Sequence, residues 1–187
     1  MIETERLYLR QWQASDFATF AKMNADPEVM QYFPKLLPAA LSDVIANKCQ
    51  QLIEDNGWGF WAVSLKQSND FIGFVGLNEV HPDMPFAPAV EIAWRLRKEY
   101  WGQGYATEAA KAALRFAFET LALHEVVAFT AVINKRSQLL MERLGMIDTQ
   151  QDFYHPMLSP EHRLAKHVLY KMTRQQWQDC VVTHAHI

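Results

Sequence analysis

The chain has 187 residues, half of them hydrophobic, and a formal net charge of −3, enough to bury its own core without disulfides or structural metals. The mild acidity argues against nucleic acid as a main partner, because phosphate neutralisation needs clustered Lys and Arg. Arg95, Arg97 and Lys98 are local basic groups that still suit a small phosphorylated ligand. Cys49 and Cys180 are far apart and lack metal-ligand spacing, so ordinary cytosolic thiols and no metal are expected. With no apolar N-terminal signal region and no membrane-length apolar run, the expectation is a soluble, cytoplasmic chain that engages no membrane.

Arg6-Leu7-Tyr8-Leu9-Arg10 alternates like a half-buried strand. Ser15 offers an N-cap, with Asp16 in the first turn and Phe17, Phe20 and Met23 at helical spacing. Prolines punctuate 26–38, which contains the aromatic loop Met30-Gln31-Tyr32-Phe33-Pro34, and a second helix is expected over 42–55. Asn56-Gly57 is a turn signal, after which strands are expected over 59–65 and 71–77. A proline-rich loop leads to a strand over 89–96. An Ala-rich helix follows over 107–120, then a strand over 125–132 and a short helix over 134–144 closed by Gly145. The tail holds a proline-interrupted loop over 150–160 and a strand over 166–172. Residues 173–187, with His184 and His186, read as a peripheral helix and a frayed end. The alternation is mixed α/β in one domain.

The richest stretch is Tyr100-Trp101-Gly102-Gln103-Gly104-Tyr105-Ala106-Thr107-Glu108-Ala109, at a strand-to-helix junction. Its glycines expose successive backbone N–H groups where helix donors are unpaired and the helix dipole is positive, which is an anion site. A plain tight turn is the competing reading. The loop lacks the third glycine of a dinucleotide-binding turn and the Gly-Lys-Ser/Thr of a nucleotide-triphosphate loop.

The loop resembles that of the GNAT N-acetyltransferases, Gln/Arg-x-x-Gly-x-Gly/Ala, with Trp101 replacing the first residue. The likeness covers roughly 2–172 and is nearest to the ribosomal-protein N-terminal acetyltransferase branch. It includes Glu3-Thr4-Glu5-Arg6-Leu7, Asp26-Pro27-Glu28-Val29-Met30, Phe71-Ile72-Gly73, Glu91-Ile92-Ala93-Trp94, Gly104 to Ala109, and Asn134 to Gly145. It implies a central, mostly antiparallel mixed sheet flanked by helices over 1–172, with 173–187 as an extension. The strands over 89–96 and 125–132 would splay apart to admit acetyl-CoA.

The resemblance also implies that Gly102, Gln103, Gly104, Tyr105, Ala106 and Thr107 hold the pyrophosphate of acetyl-CoA. Trp94, Arg95 and Leu96 would hold the pantetheine arm through their main chain, and Asn134 would touch the cofactor, with a helix cap as its alternative role. Attack by an amine requires its neutral form, so a base helps. Glu91 is the first candidate, against a structurally paired carboxylate, and His155 and His81 are alternatives. Family members that protonate the departing thiolate with tyrosine have it at the position of Met141; Ser137 is the substitute candidate, against a helix N-cap. Tyr32, Phe33, Trp58 and Phe86 are candidate acceptor-pocket walls, with Phe60, Trp61 and Tyr154 as further aromatics. No cysteine sits where an acetyl-enzyme would need one.

These readings converge on an acetyl-CoA-dependent N-acetyltransferase acting by direct attack in a ternary complex, as monomer or homodimer. The acceptor is a protein N-terminus or a small amine. A non-catalytic CoA-binding module on the same fold and an unrelated nucleotide-phosphate binder are the alternatives.

Overall fold

β1 (Ile2–Glu3) is a two-residue edge, and β2 (Leu7–Arg10) buries Leu7 and Leu9 completely while Tyr8 and Arg10 between them stay partly exposed. This is the period-2 pattern of a strand with one face in the core. In the computed structural model, which describes residues 1–184, the chain forms two compact units. One comprises Met1–Leu77 with Ala93–Ala113; the other comprises Asn78–Ile92 with the residues from Leu114 onward.

In the first unit, α1 (Ala14–Asn24) starts at Gln13 rather than at the expected cap Ser15. Asp16 accounts for the difference. It is 2% exposed, its carboxylate accepts the Gln13 N–H at 2.8 Å, and it pairs with Arg10 at 2.7 Å. A buried carboxylate with a bidentate arginine and a backbone donor outcompetes an exposed serine as the organiser of that turn. α2 (Ala39–Asn56) follows Pro38, and β3 (Phe60–Leu65) and β4 (Phe71–Glu79) complete the antiparallel order β1-β2-β3-β4. Trp12, Phe20, Phe71 and Phe74 form the aromatic centre of this core, with Trp12 edge-on to Phe20 at 4.9 Å. The last part of β5 (Val90–Leu96) and α3 (Tyr105–Arg115) as far as Ala113 also belong here.

In the second unit, the start of β5 meets β6 (Glu125–Ala131) in parallel, and the register between them is confined to Glu91 opposite Val127. α4 (Lys135–Arg143), β7 (Ile147–Asp148), β8 (Phe153–Tyr154), β9 (Lys166–Thr173) and α5 (Arg174–His184) follow. β9 pairs antiparallel with the whole of β6, giving the order β5-β6-β9-β7, and β8 also pairs with β9. The helical turn over Phe116–Thr120 is π-wound, with Leu121 N–H reaching Phe116 O at 3.0 Å, where a plain α-helix was expected through residue 120. The C-terminal helix is also less peripheral than its sequence suggests. Trp177 is 7% exposed and stacks on Phe118 at 5.9 Å, so it contributes core burial worth a few kcal/mol. His186 lies outside the described residues.

Candidate active site

The glycine loop is built from the end of β5. Arg97 N–H donates to Ile72 O at 2.8 Å, holding β5 beside β4, and Lys98–Tyr100 then makes one 3-10 turn. Trp101, the residue that departs from the family pattern, turns inward. Its indole N–H donates to Leu96 O at 2.9 Å and its ring packs on the aromatic core. Gly102 and Gly104 have φ of 73° and 82°, a region that L-residues rarely adopt, and a Cβ on Gly102 would meet only open space. Backbone conformation therefore demands these glycines. The first α3 hydrogen bond runs from Glu108 N–H to Gly104 O at 3.0 Å. Among the described residues, the amides of residues 104–107 have no backbone acceptor, so the donors of an anion cradle are present.

Glu108 lies in the first turn of α3, where it would repel an anion, but its charge is engaged. Arg6 Nε donates to it at 2.7 Å, and Thr4 Oγ1 and Arg6 N–H donate at 2.6 and 2.8 Å. These donors hold its carboxyl below the ordinary range against the opposing pull of burial. Arg6 also donates to Gln103 O at 3.1 Å and lies 4.3 Å over the Tyr105 ring. The opening strand segment thus fixes the loop, a function that the sequence did not signal.

Glu91 is half-buried, and burial raises its carboxyl from 4.5 to about 7, with a hydrogen bond from Asn78 pulling the other way. The register explains the burial. Glu91 opposite Val127 shares the sheet face of Phe129 and Leu169, which belong to an apolar cluster with Val80, Met84, Phe86 and Phe153. A carboxyl near neutrality is half ionised at pH 7, as a general base requires.

Of the alternative bases, His81 is exposed beside Asp83, at 3.5 Å. His155 and His167 lie 5.1 Å apart and are both held below the ordinary histidine value, chiefly by burial. His155 Nδ1 accepts the Met157 N–H at 3.2 Å.

On α4, the cap is Asn134 rather than Ser137. Its Oδ1 accepts Ser137 N–H at 3.3 Å, and its Nδ2 donates to Thr130 Oγ1 at 2.9 Å and Ser137 Oγ at 3.1 Å. Because Ser137 Oγ accepts from Asn134, its own proton is left to be donated elsewhere. Met141 is 2% exposed, a core residue. Tyr170 donates to Glu142 at 3.2 Å and is pushed up to about 12 by burial, which makes it a poor proton donor at neutral pH.

The aromatic residues divide. Trp61 is buried, and Phe60 packs 5.3 Å from Phe74, so both are core. Phe86 packs against Phe129 and Phe153 at 5.4 and 5.1 Å. Trp58 and Tyr32 are half-buried, Tyr154 is exposed, and Phe33 is exposed over the Arg95 guanidinium at 4.0 Å. In the sequence the Arg95 side chain is only one of three basic groups suited to a phosphorylated ligand, and nothing there signals its place against Asn24 and Phe33.

Residues 6–147 match the family described as the acetyltransferase (GNAT) domain. The chain belongs to the GNAT acetyltransferase family. Among its relatives is the FsC-acetyl coenzyme A-N(2)-transacetylase of Aspergillus fumigatus, 29% identical over 165 residues, covering 83% of this chain and 68% of that protein. The GNAT-family acetyltransferase of Bacillus anthracis superposes with a TM-score of 0.78 at 23% identity, covering 93% of this chain and 98% of that one. The spermidine N-acetyltransferase of Vibrio cholerae, solved with CoA and spermine, gives 0.72 at 21% identity, over 92% and 98%.

The chain therefore has the single-domain GNAT fold, a mostly antiparallel mixed sheet flanked by helices, and is an acyltransferase for acetyl-CoA-dependent N-acetylation. The open, positive-φ glycines and unladdered amides of its loop fit a pyrophosphate. No helix among the described residues is long and apolar enough to cross a membrane.

Proposed function

We propose that this GNAT chain acetylates a primary amine, on a small molecule or a protein N-terminus, by direct attack in a ternary complex. The observation that carries the reading is the loop, where two glycines with φ of 73° and 82° precede unpaired helix amides. Gly102, Gln103, Gly104, Tyr105, Ala106 and Thr107 hold the pyrophosphate, and the main chain of Trp94, Arg95 and Leu96 holds the pantetheine arm. Acetyl-CoA supplies the acetyl thioester.

Glu91 accepts the amine proton directly or through water, supported by its rise to about 7. Ser137 donates a hydrogen bond to the departing sulfur, supported by the Asn134 contact that orients its oxygen. Asn134 acts chiefly by shaping that helix start. Tyr32, Phe33, Trp58 and Phe86 are the acceptor-side aromatics. The narrower kinship with the ribosomal-protein branch rests on the motifs over 91–94, 104–109 and 134–145. Residues 1–172 constitute the catalytic domain and 173–187 an extension, in a cytoplasmic monomer or homodimer.

The test is CoA release across panels of amines and peptides, with thermal shift by CoA as control. Release with at least one acceptor supports the reading. Stabilisation by CoA with no turnover on any amine would replace it with a non-catalytic CoA-binding module. Stronger stabilisation by ATP or NAD would remove the cofactor assignment altogether.

A further inference from the structure

Arg95 is a half-buried cation with its Nε sealed from solvent, and among the described residues it has no anionic partner. Its Nη1 donates to Asn24 Oδ1 at 2.7 Å, while its Nε is buried without a partner. Among the described residues, no carboxylate forms an ion pair with it. The thiol beside it, Cys49, is pushed up to about 11 by burial and stays neutral. Burial also lowers Arg95 itself to about 10, still far above neutrality, so the guanidinium remains charged.

An uncompensated buried charge is costly, and a fold that retains one usually matches it with a partner. The surroundings are ordered as if to present it. Asn24 is fully buried and its Nδ2 donates to Ser42 Oγ at 2.8 Å, so its carbonyl oxygen is fixed toward Arg95. Phe74 and Phe33 lie 5.3 and 4.0 Å from the guanidinium centre. Phe33 is the one on the exposed loop between α1 and α2.

With Nη1 taken by Asn24, the edge formed by Nε and Nη2 is left without an acceptor among the described residues. That edge carries two parallel N–H donors whose spacing matches the two oxygens of a carboxylate. We propose that Arg95 is the receptor for a carboxylate on the acceptor, making the preferred substrates small amines that also carry a carboxylate, such as amino acids. The inference rests on the acetyl-transfer reading above. A single planar guanidinium suits a monovalent carboxylate better than a phosphate dianion, and it repels a polyamine.

The test compares kcat/KM for L-amino acids with their C-terminal amides, and for phosphoethanolamine and spermidine, in wild type and in Arg95→Gln and Arg95→Lys. Wild type should favour the acids. Arg95→Gln should cut the acid-to-amide ratio about 10- to 100-fold, the range of charge-assisted hydrogen bonds. Arg95→Lys should restore only part of it, because lysine lacks the fork.

Equal rates for acid and amide in wild type, an unchanged ratio in Arg95→Gln, or a preference for phosphoethanolamine or spermidine would overturn the proposal. If CoA raises Tm but no acceptor releases it, the transfer reading fails on its own, and Tm then reads the carboxylate site. A rise with the acids but not the amides, lost in Arg95→Gln, upholds the site; no rise removes it.

Discussion

Glu91→Gln should weaken catalysis and strengthen the fold, and the second effect should depend on pH. The carboxyl binds its proton more tightly in the folded chain, at about 7, than at its ordinary value of 4.5. The stability that protonation lends is therefore complete below 4.5 and lost as pH rises to about 7. Above that, the folded chain carries a desolvated carboxylate costing at most about 3 kcal/mol, at 1.36 kcal/mol per pH unit. Glutamine is neutral throughout and keeps a polar group for Asn78. Urea denaturation should show the variant more stable by up to about 3 kcal/mol near pH 8.5, and by less than about 1 kcal/mol near pH 5. In parallel, wild-type kcat/KM should climb with pH through about 7, and the variant should lose that limb and about 100-fold or more in rate. A stability gap of the same size at both pH values would refute the desolvation argument. An unaltered pH–rate profile in the variant would remove Glu91 as the base.

Gly104→Ala must hold an alanine at φ 82° with Arg6 Nη2 only 3.4 Å from its Cβ, a strain of about 1–2 kcal/mol. It should raise KM for acetyl-CoA more than it lowers kcat, and unchanged acetyl-CoA affinity would detach the loop from the pyrophosphate. Ser137→Ala should slow transfer with little change in Tm, whereas Asn134→Ala should lower stability by about 1–2 kcal/mol because it removes the cap. Equal turnover in Ser137→Ala would leave that serine a helix residue only. Trp177→Ala should cost about 3–5 kcal/mol through the lost stack on Phe118, and a loss under about 1 kcal/mol in urea melts would mark α5 as dispensable to the core.

The features legible in the sequence were those set by local backbone demands. Gly102 and Gly104 are dictated by their own φ angles, so their spacing could be read directly. β2 announced itself through the alternation of Leu7 and Leu9 with Tyr8 and Arg10. What stayed hidden was decided by side-chain partners, some a helical turn or two away and others far along the chain. Ser15 lost its cap to Asp16 because Arg10 could reach that carboxylate, and of the two cap candidates on α4 Asn134 prevailed, its amide also held by Thr130. The two-residue strands β1, β7 and β8 are too short to carry a period. Glu91 was singled out from its strand position, but its raised carboxyl depends on the Val127 register. Arg95 reads as one more charged residue until Asn24, 71 positions away, is placed against it.

The pairing of β5 with β6 stops after one register position, Glu91 with Val127. An extended ligand lying along a strand edge reads amides and carbonyls, which every residue supplies alike. If the donor is held that way, mutation of β5 side chains leaves cofactor recognition largely intact while altering which acceptor is chosen. The scaffold can then acquire new amines one substitution at a time, with Arg95 as one such exchangeable position, and its acetyl donor need never change.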